Sequence, residues 1–258
     1  MAPDADYLTK LYGLEGRTAV VTGASSGIGC AIAQALGRAG AGLFLVGRDP
    51  HRLRAAEQQL VSYGCMVTAI SADLAEREGI DHVVEQTRGS QVDILVNSAG
   101  VNVRPSMGDL SDNDITQTLA VNLQAPLLLG QHYGPLMAGR GWGRIINIGS
   151  QQSVRAFGNS GVYGVSKAGI TGLSRSQAEA WSANGVCSNT IVPGFVETAM
   201  TQHVVAEPGR SAALAARTHV GRNGLAPDFA GAAVFLASDA SSYVTGQMLF
   251  VDGGFSVA

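Results

Sequence analysis

The sequence predicts an α/β protein: a doubly wound, seven-stranded parallel sheet with helices on both faces, folded as one domain over residues 1–258. Three observations carry this. Short apolar, β-branched runs alternate with stretches whose apolar residues recur at helical spacing. The connections between them are short, and right-handed crossovers turn such a chain into a parallel sheet covered on both sides. The glycines, 34 of 258 residues, gather at the ends of the apolar runs, where backbone must turn tightly or approach a ligand.

In chain order, a polar lead-in precedes RTAVVT at 17–22, the first strand, and Gly23 closes it. Residues 27–39 form a helix on Ile28, Ile32, Ala35 and Leu36. GLFLV at 42–46 is the second strand and 50–61 the second helix; MVTAIS at 66–71 is the third strand, followed by a helix over 76–86. VDILVN at 92–97 is the fourth strand. A long helix is predicted over 112–137, with Pro126 and Pro135 limiting where it runs unbroken. The fifth strand, 144–149, leads to a helix over 161–184, and the sixth, 187–192, ends in Pro193-Gly194. Residues 195–223 lack clear periodicity and read as an irregular or partly helical insert bearing substrate contacts. A helix over 227–238 and a last strand over 247–251 complete the pattern.

Hydrophobic residues at 46% against 14% charged exclude a disordered chain. A net charge of −3 without a basic cluster argues against nucleic acid as a partner. Acids at the N-terminus, and no apolar run approaching the ~18 residues of a membrane span, argue against a signal peptide and a membrane partner. Cys30, Cys65 and Cys187 are far apart, and neither they nor the histidines (His203 among them) show ligand spacing. No metal is expected, and the unpaired thiols suit a reducing, cytoplasmic location.

Three motifs point to chemistry. Gly23-Ala24-Ser25-Ser26-Gly27-Ile28-Gly29 is a G-x-x-x-G-x-G turn between a strand and a helix. Gly23 permits the turn, Gly27 lets backbone approach a pyrophosphate, and Gly29 lets the helix pack close with its amides toward the phosphates. Ser25, Ser26 and Ile28 complete this candidate cofactor loop of a Rossmann-type fold. After the second strand the chain reads Gly47-Arg48-Asp49. Glycine stands where an acid would bind a free ribose 2′-hydroxyl, and Arg48 suits a 2′-phosphate, favouring NADP; Asp49 leaves NAD open. Finally, Tyr163 and Lys167 lie four residues apart, one turn of a helix, so an ammonium neighbours a phenol and is expected to lower its pKa. Ser150, at the end of the fifth strand, can hydrogen-bond the same substrate oxygen.

Together these motifs resemble the short-chain dehydrogenase/reductase family, from end to end of the chain. The resemblance implies that Asp73 and Leu74, after the third strand, hold the adenine ring. It implies that Asn97, Ala99 and Gly100 line the cofactor in a turn reading N-S-A-G, where Ser98 replaces the family's second asparagine. Asn122 is expected to hold a water on the proton path, and Ser150, Tyr163 and Lys167 to act at the substrate oxygen, Tyr163 and Lys167 also contacting the cofactor. Pro193, Gly194, Val196 and Thr198, from a P-G-x-x-x-T segment, are expected beside the nicotinamide.

The implied activity is hydride transfer between NADP(H) or NAD(H) and a carbonyl or secondary alcohol. Substrate contacts are expected at Arg104, Gln152 and Phe157, within loops that also hold Val101, Asn102, Gln151, Arg155, Asn159, His203 and Arg210. That polarity suits a sugar acid or polyol, with Arg104 able to take a carboxylate bidentately. The tail over 231–244 likewise resembles sugar-acid and polyol members. Two alternatives stand beside it: a 3-oxoacyl-carrier-protein-type ketoreductase, and a non-catalytic cofactor-sensing regulator, which would not need the tyrosine–lysine pair. The family's habit, and small residues Gly164, Ala168, Gly172 and Ala178 on one helix, suggest a homotetramer.

Overall fold

The computed structural model describes residues 5–258, without the side chains of Ala5 and His203. Its helices are α1 (Ala5–Tyr12), α2 (Gly27–Arg38), α3 (Pro50–Ser62), α4 (Arg77–Gln86), α5 (Asp112–Leu119), α6 (Ala125–Gly139), α7 (Gly161–Trp181), α8 (Gln202–Val205), α9 (Arg210–Ala215) and α10 (Ala230–Ala237). Its strands are β1 (Thr18–Thr22), β2 (Gly42–Gly47), β3 (Val67–Ser71), β4 (Ile94–Asn97), β5 (Gly143–Ile148), β6 (Val186–Pro193) and β7 (Met248–Val251). They form one parallel sheet of seven strands in the order β3-β2-β1-β4-β5-β6-β7.

Adjacent strand residues point to opposite faces, and two cores follow from that alternation. Val21, Val96 and Ile146 pack with Ile32 and Leu36 of α2, Leu60 of α3 and Phe229 and Leu236 near α10. Val20, Leu95 and Ile145 pack with Val83 of α4 and Leu129, Tyr133 and Met137 of α6. The carboxyl ends are in register: Thr22 pairs with Val46 and Asn97, and Asn97 with Asn147. Strand order reverses at β1, whose neighbours β2 and β4 lead away in opposite directions. A ligand crevice opens there.

Several expectations needed revision. The lead-in carries α1. The long helix over 112–137 is interrupted by a π-turn over Ala120–Gln124, after which Pro126 sits in the first turn of α6; Pro135 is inside α6. The last helix begins as a 3₁₀ turn, Ala226–Phe229, before α10. Residues 195–223 form the short helices α8 and α9. On α7, Ala178 is buried against Gly246, so the small-residue stripe does not face outward along its whole length.

Candidate active site

The turn after β1 is held by one side chain. The Thr22 hydroxyl accepts the N–H groups of Ser98 and Ala99 at 3.0 and 3.1 Å and donates to the Val96 carbonyl at 3.3 Å, tying the ends of β1 and β4 together. A Cβ on Gly23 would lie 2.8 Å from the Ala99 nitrogen, and one on Gly29 would lie 2.8 Å from the Gly23 carbonyl carbon. Gly23 and Gly27 have φ of +67° and +56°. The glycines therefore bring α2 and the two strand ends close together, as the motif predicts. Ser98 fits without loss: its N–H is bonded and its hydroxyl lies beside Gly29.

Above these ends runs a cleft of about 630 Å³. At one end Gly47, Arg48, Asp49, Arg52 and Asp73 line it. Arg48 lies 3.9 Å from Asp73, both exposed. Asp49 is occupied as the cap of α3, accepting the N–H groups of His51 and Arg52 at 2.9 and 3.2 Å, with its carboxylate pKa lowered chiefly by the Arg52 N–H. Its charge is thus turned to the helix, and Arg52 joins Arg48 on the cleft wall. Sequence reasoning missed Arg52, whose position depends on where α3 begins.

Ser25, Ser26, Gly27, Ile28, Leu74, Ala99 and Gly100 continue along the cleft, and Pro193, Gly194, Val196 and Thr198 form the opposite wall. A Cβ on Gly27 would lie 3.4 Å from Thr198 Cγ2, so loop and wall face each other closely. Thr198 is braced by Thr201, whose hydroxyl accepts the Thr198 N–H at 3.0 Å and donates to Val196 at 2.6 Å.

At the centre sit Ser150, Tyr163 and Lys167, with Gly100 beside them. Gly161, at φ +46°, swings the chain into α7, which puts Tyr163 in its first turn and Lys167 one turn on. Ser153 pins the preceding loop to this helix, its hydroxyl donating to the Lys167 carbonyl at 2.7 Å. Lys167 Nζ donates to the Ile148 carbonyl at 2.7 Å and lies 5.8 Å from the centre of the Tyr163 ring. Burial lowers the Lys167 pKa to about 8. At the phenol, desolvation wins: burial raises its pKa, opposed by the Ser150 hydroxyl and the Arg104 charge.

Asn97 and Asn122 stand behind the cleft, not on its wall. The Asn97 amide donates to Asn147 Oδ1 at 2.7 Å. Asn122, in the π-turn, accepts the Val101 N–H at 2.8 Å and donates to the Val101 carbonyl at 2.9 Å and Ser166 Oγ at 3.1 Å, so its side chain clamps the loop after Gly100. The remaining end holds Val101, Asn102, Arg104, Gln151, Gln152, Phe157, Arg210, Arg217 and Phe255. Arg104 donates through Nε to Asn159 at 3.3 Å and through Nη2 to the Gly158 carbonyl. The side-on fork is thus taken, and only the Nη1 end is left for a carboxylate. Arg155 instead donates to Ser256 at 3.4 Å, and the His203 side chain lies outside the described residues. Arg217, inside the 195–223 insert but not singled out there, and Phe255 escaped sequence reasoning, the latter because the tail reaches the cleft only through tertiary packing. Among the described residues no three His, Cys, Asp or Glu could hold a metal, and no helix is long and apolar enough to cross a membrane.

A doubly wound sheet whose crevice gathers a glycine turn, a buried Tyr-x-x-x-Lys pair and a serine defines a nucleotide-dependent oxidoreductase fold. The family profile described as Enoyl-(Acyl carrier protein) reductase matches residues 23–256, and the chain belongs to the short-chain dehydrogenase/reductase family. It is 40% identical over 251 residues to the 2-dehydro-3-deoxy-D-gluconate 5-dehydrogenase of Bacillus subtilis, covering 96% of this chain and 98% of that protein. Solved structures share its fold, among them two with NADP bound. A gluconate 5-dehydrogenase from Burkholderia cenocepacia in complex with NADP and tartrate superposes with a TM-score of 0.92 at 32% identity, covering 97% of this chain and 99% of that one. A 3-oxoacyl (acyl-carrier-protein) reductase from Agrobacterium tumefaciens with NADP bound gives 0.92 at 35% identity, covering 98% and 100%.

Proposed function

We propose that the protein is an NADP(H)-dependent oxidoreductase interconverting a secondary alcohol and a ketone on a small polar substrate, a sugar acid or polyol. The carrying observation is that buried Tyr163 and Lys167 join half-buried Ser150 along one continuous cleft. The cleft fits a dinucleotide: close-approaching glycines at 23–29 suit a pyrophosphate, and Arg48 and Arg52 supply the cations a 2′-phosphate needs. When bound, the nicotinamide gives or takes the hydride. Ser150 orients the substrate oxygen, and the Tyr163 hydroxyl moves the proton to or from it. Lys167, still mostly protonated near pH 7, holds positive charge one helical turn below the phenol. Asn122 fixes the Val101 backbone, and with it the loop that carries Gly100.

Sugar acids and polyols rank above a carrier-bound acyl chain because the substrate end carries Asn102, Arg104, Gln151 and Gln152. The kept Tyr163–Lys167 pair argues against a non-catalytic sensor. The chain works as a homotetramer through α5, α6 and α7, whose outer surfaces expose Ile115, Leu127, Leu136 and Val165. Free Cys30, Cys65 and Cys187 suit a cytoplasmic setting. The test is a panel of sugar acids, polyols and β-ketoesters with NADP and NAD, followed at 340 nm as the cofactor changes redox state. Turnover is expected with a sugar acid or polyol, preferentially with NADP, and Tyr163→Phe is expected to lower kcat by ~10²–10⁴ while still taking up NADP. Near-normal turnover in that variant removes Tyr163 from the chemistry.

A further inference from the structure

Among the described residues, the substrate end of the cleft presents three arginines, Arg104, Arg210 and Arg217, and no carboxylate, and the acids lining the cleft are Asp49 and Asp73, which lie beside Arg52 and Arg48 at the far end. Arg210 is paired with Glu207 at 3.3 Å. Arg104 and Arg217 belong to none of the ion pairs among the described residues. Nearby acids are already engaged. Asp252 accepts the N–H groups of Gly254 and Ser256 at 3.0 and 2.8 Å, and Glu197 accepts from Asn223 and Ser211 at 2.9 Å each.

The two unpaired cations are held apart by aromatic packing. The Arg217 guanidinium lies 4.2 Å from the centre of the Phe255 ring, and Phe255 is only 2% exposed. Phe255 in turn packs on Phe157 with ring centroids 5.8 Å apart, and Gly158, next along, accepts from Arg104. The tail that delivers Phe255 is threaded tightly under the turn after α9, since a Cβ on Gly254 would lie 2.7 Å from His219 Cδ2. Stacking fixes the guanidinium plane without using its N–H groups, which leaves them free for a planar or tetrahedral anion. Arg104 and Arg217 thus line the same end of the cleft as two separate cations, joined through Phe255 and Phe157.

We propose that the substrate carries a second anionic group, carboxylate or phosphate, and that Arg217 receives it. This deepens the function proposed above and rests on it. A six-carbon sugar acid bearing an acid or phosphate at its far end has the required chemistry, whereas a simple polyol has neither anion.

The experiment measures kcat and KM of the full chain with NADP and three probes: D-gluconate, D-glucarate and 6-phosphogluconate. At least one dianion is expected to exceed gluconate in kcat/KM by about tenfold, mainly through KM, the size of one charge-assisted pair at a partly solvated position. Glucarate and 6-phosphogluconate separate carboxylate from phosphate. Arg217→Met keeps an apolar stem over Phe255 and is expected to bring the dianion-to-gluconate ratio near one; Arg217→Lys is expected to restore part of it. An unchanged melting temperature in both variants ties the loss to charge. Turnover of gluconate with no dianion preference, or a preference that survives in Arg217→Met, overturns the inference alone. Turnover of none of the sugar acids and polyols overturns the proposed function as well.

Discussion

Lys167 enters the fold at a cost. Its amine has an ordinary pKa of 10.5 and is lowered to about 8 by burial, with one carbonyl, that of Ile148, accepting from it. Between these two values the unfolded chain holds a proton that the folded chain has released. Stability therefore rises with pH through this window, and the full penalty is present below about pH 8. Relative to Lys167→Met, the native chain is expected to gain up to about 3 kcal/mol on going from pH 8 to above pH 10. Denaturant melts of both proteins at several pH values would read it, and a flat difference would contradict the buried amine. Tyr163 shows the opposite sign, its phenol raised by the same burial. The residue pair was legible in the sequence, but its electrostatics were not, because spacing says nothing about desolvation.

At the level of elements, the glycine turn shows how a motif becomes geometry. Gly16 and Gly23 both have positive φ, yet a Cβ on Gly16 meets nothing within 4 Å, while one on Gly23 would strike the backbone of Ser98 and Ala99. Gly16→Ala bears only the conformational penalty of about 1–2 kcal/mol. Gly23→Ala is expected to cost at least about 2 kcal/mol more, because backbone cannot step aside. Thermal melts of the two variants separate the contributions, and equal losses would mean that the contact at Ser98–Ala99 can relax. The interruption of 112–137 belongs to this scale too. A helical period persists through a π-turn, so periodicity predicts one helix where the backbone makes two. That extra residue is what turns Asn122 toward Val101 and Ser166.

For the whole molecule, the exposed apolar residues on α5, α6 and α7 ask for a partner. Leu136 and Val165 are 51% and 58% exposed although each sits on a helix whose other side is buried. Size-exclusion chromatography with light scattering is expected to report a tetramer, and Leu136→Glu with Val165→Glu to lower its order without unfolding the chain. A wild-type monomer at micromolar concentration would refute the assembly.

What the sequence determined by itself was local: strand and helix order, the cofactor turn, the Tyr163–Lys167 spacing and the strand ends where Ser150 and Pro193 fall. Each follows from apolar period or from glycine and proline chemistry within a few residues. Only the tertiary structure decided which groups share a wall. Arg52 reaches the cleft because Asp49 caps α3, Asn97 ties β4 to β5, Asn122 supports the loop after Gly100, and Phe255 packs against Arg217 at the cleft. Those juxtapositions join residues far apart in sequence through packing, and packing leaves no periodic trace along the chain.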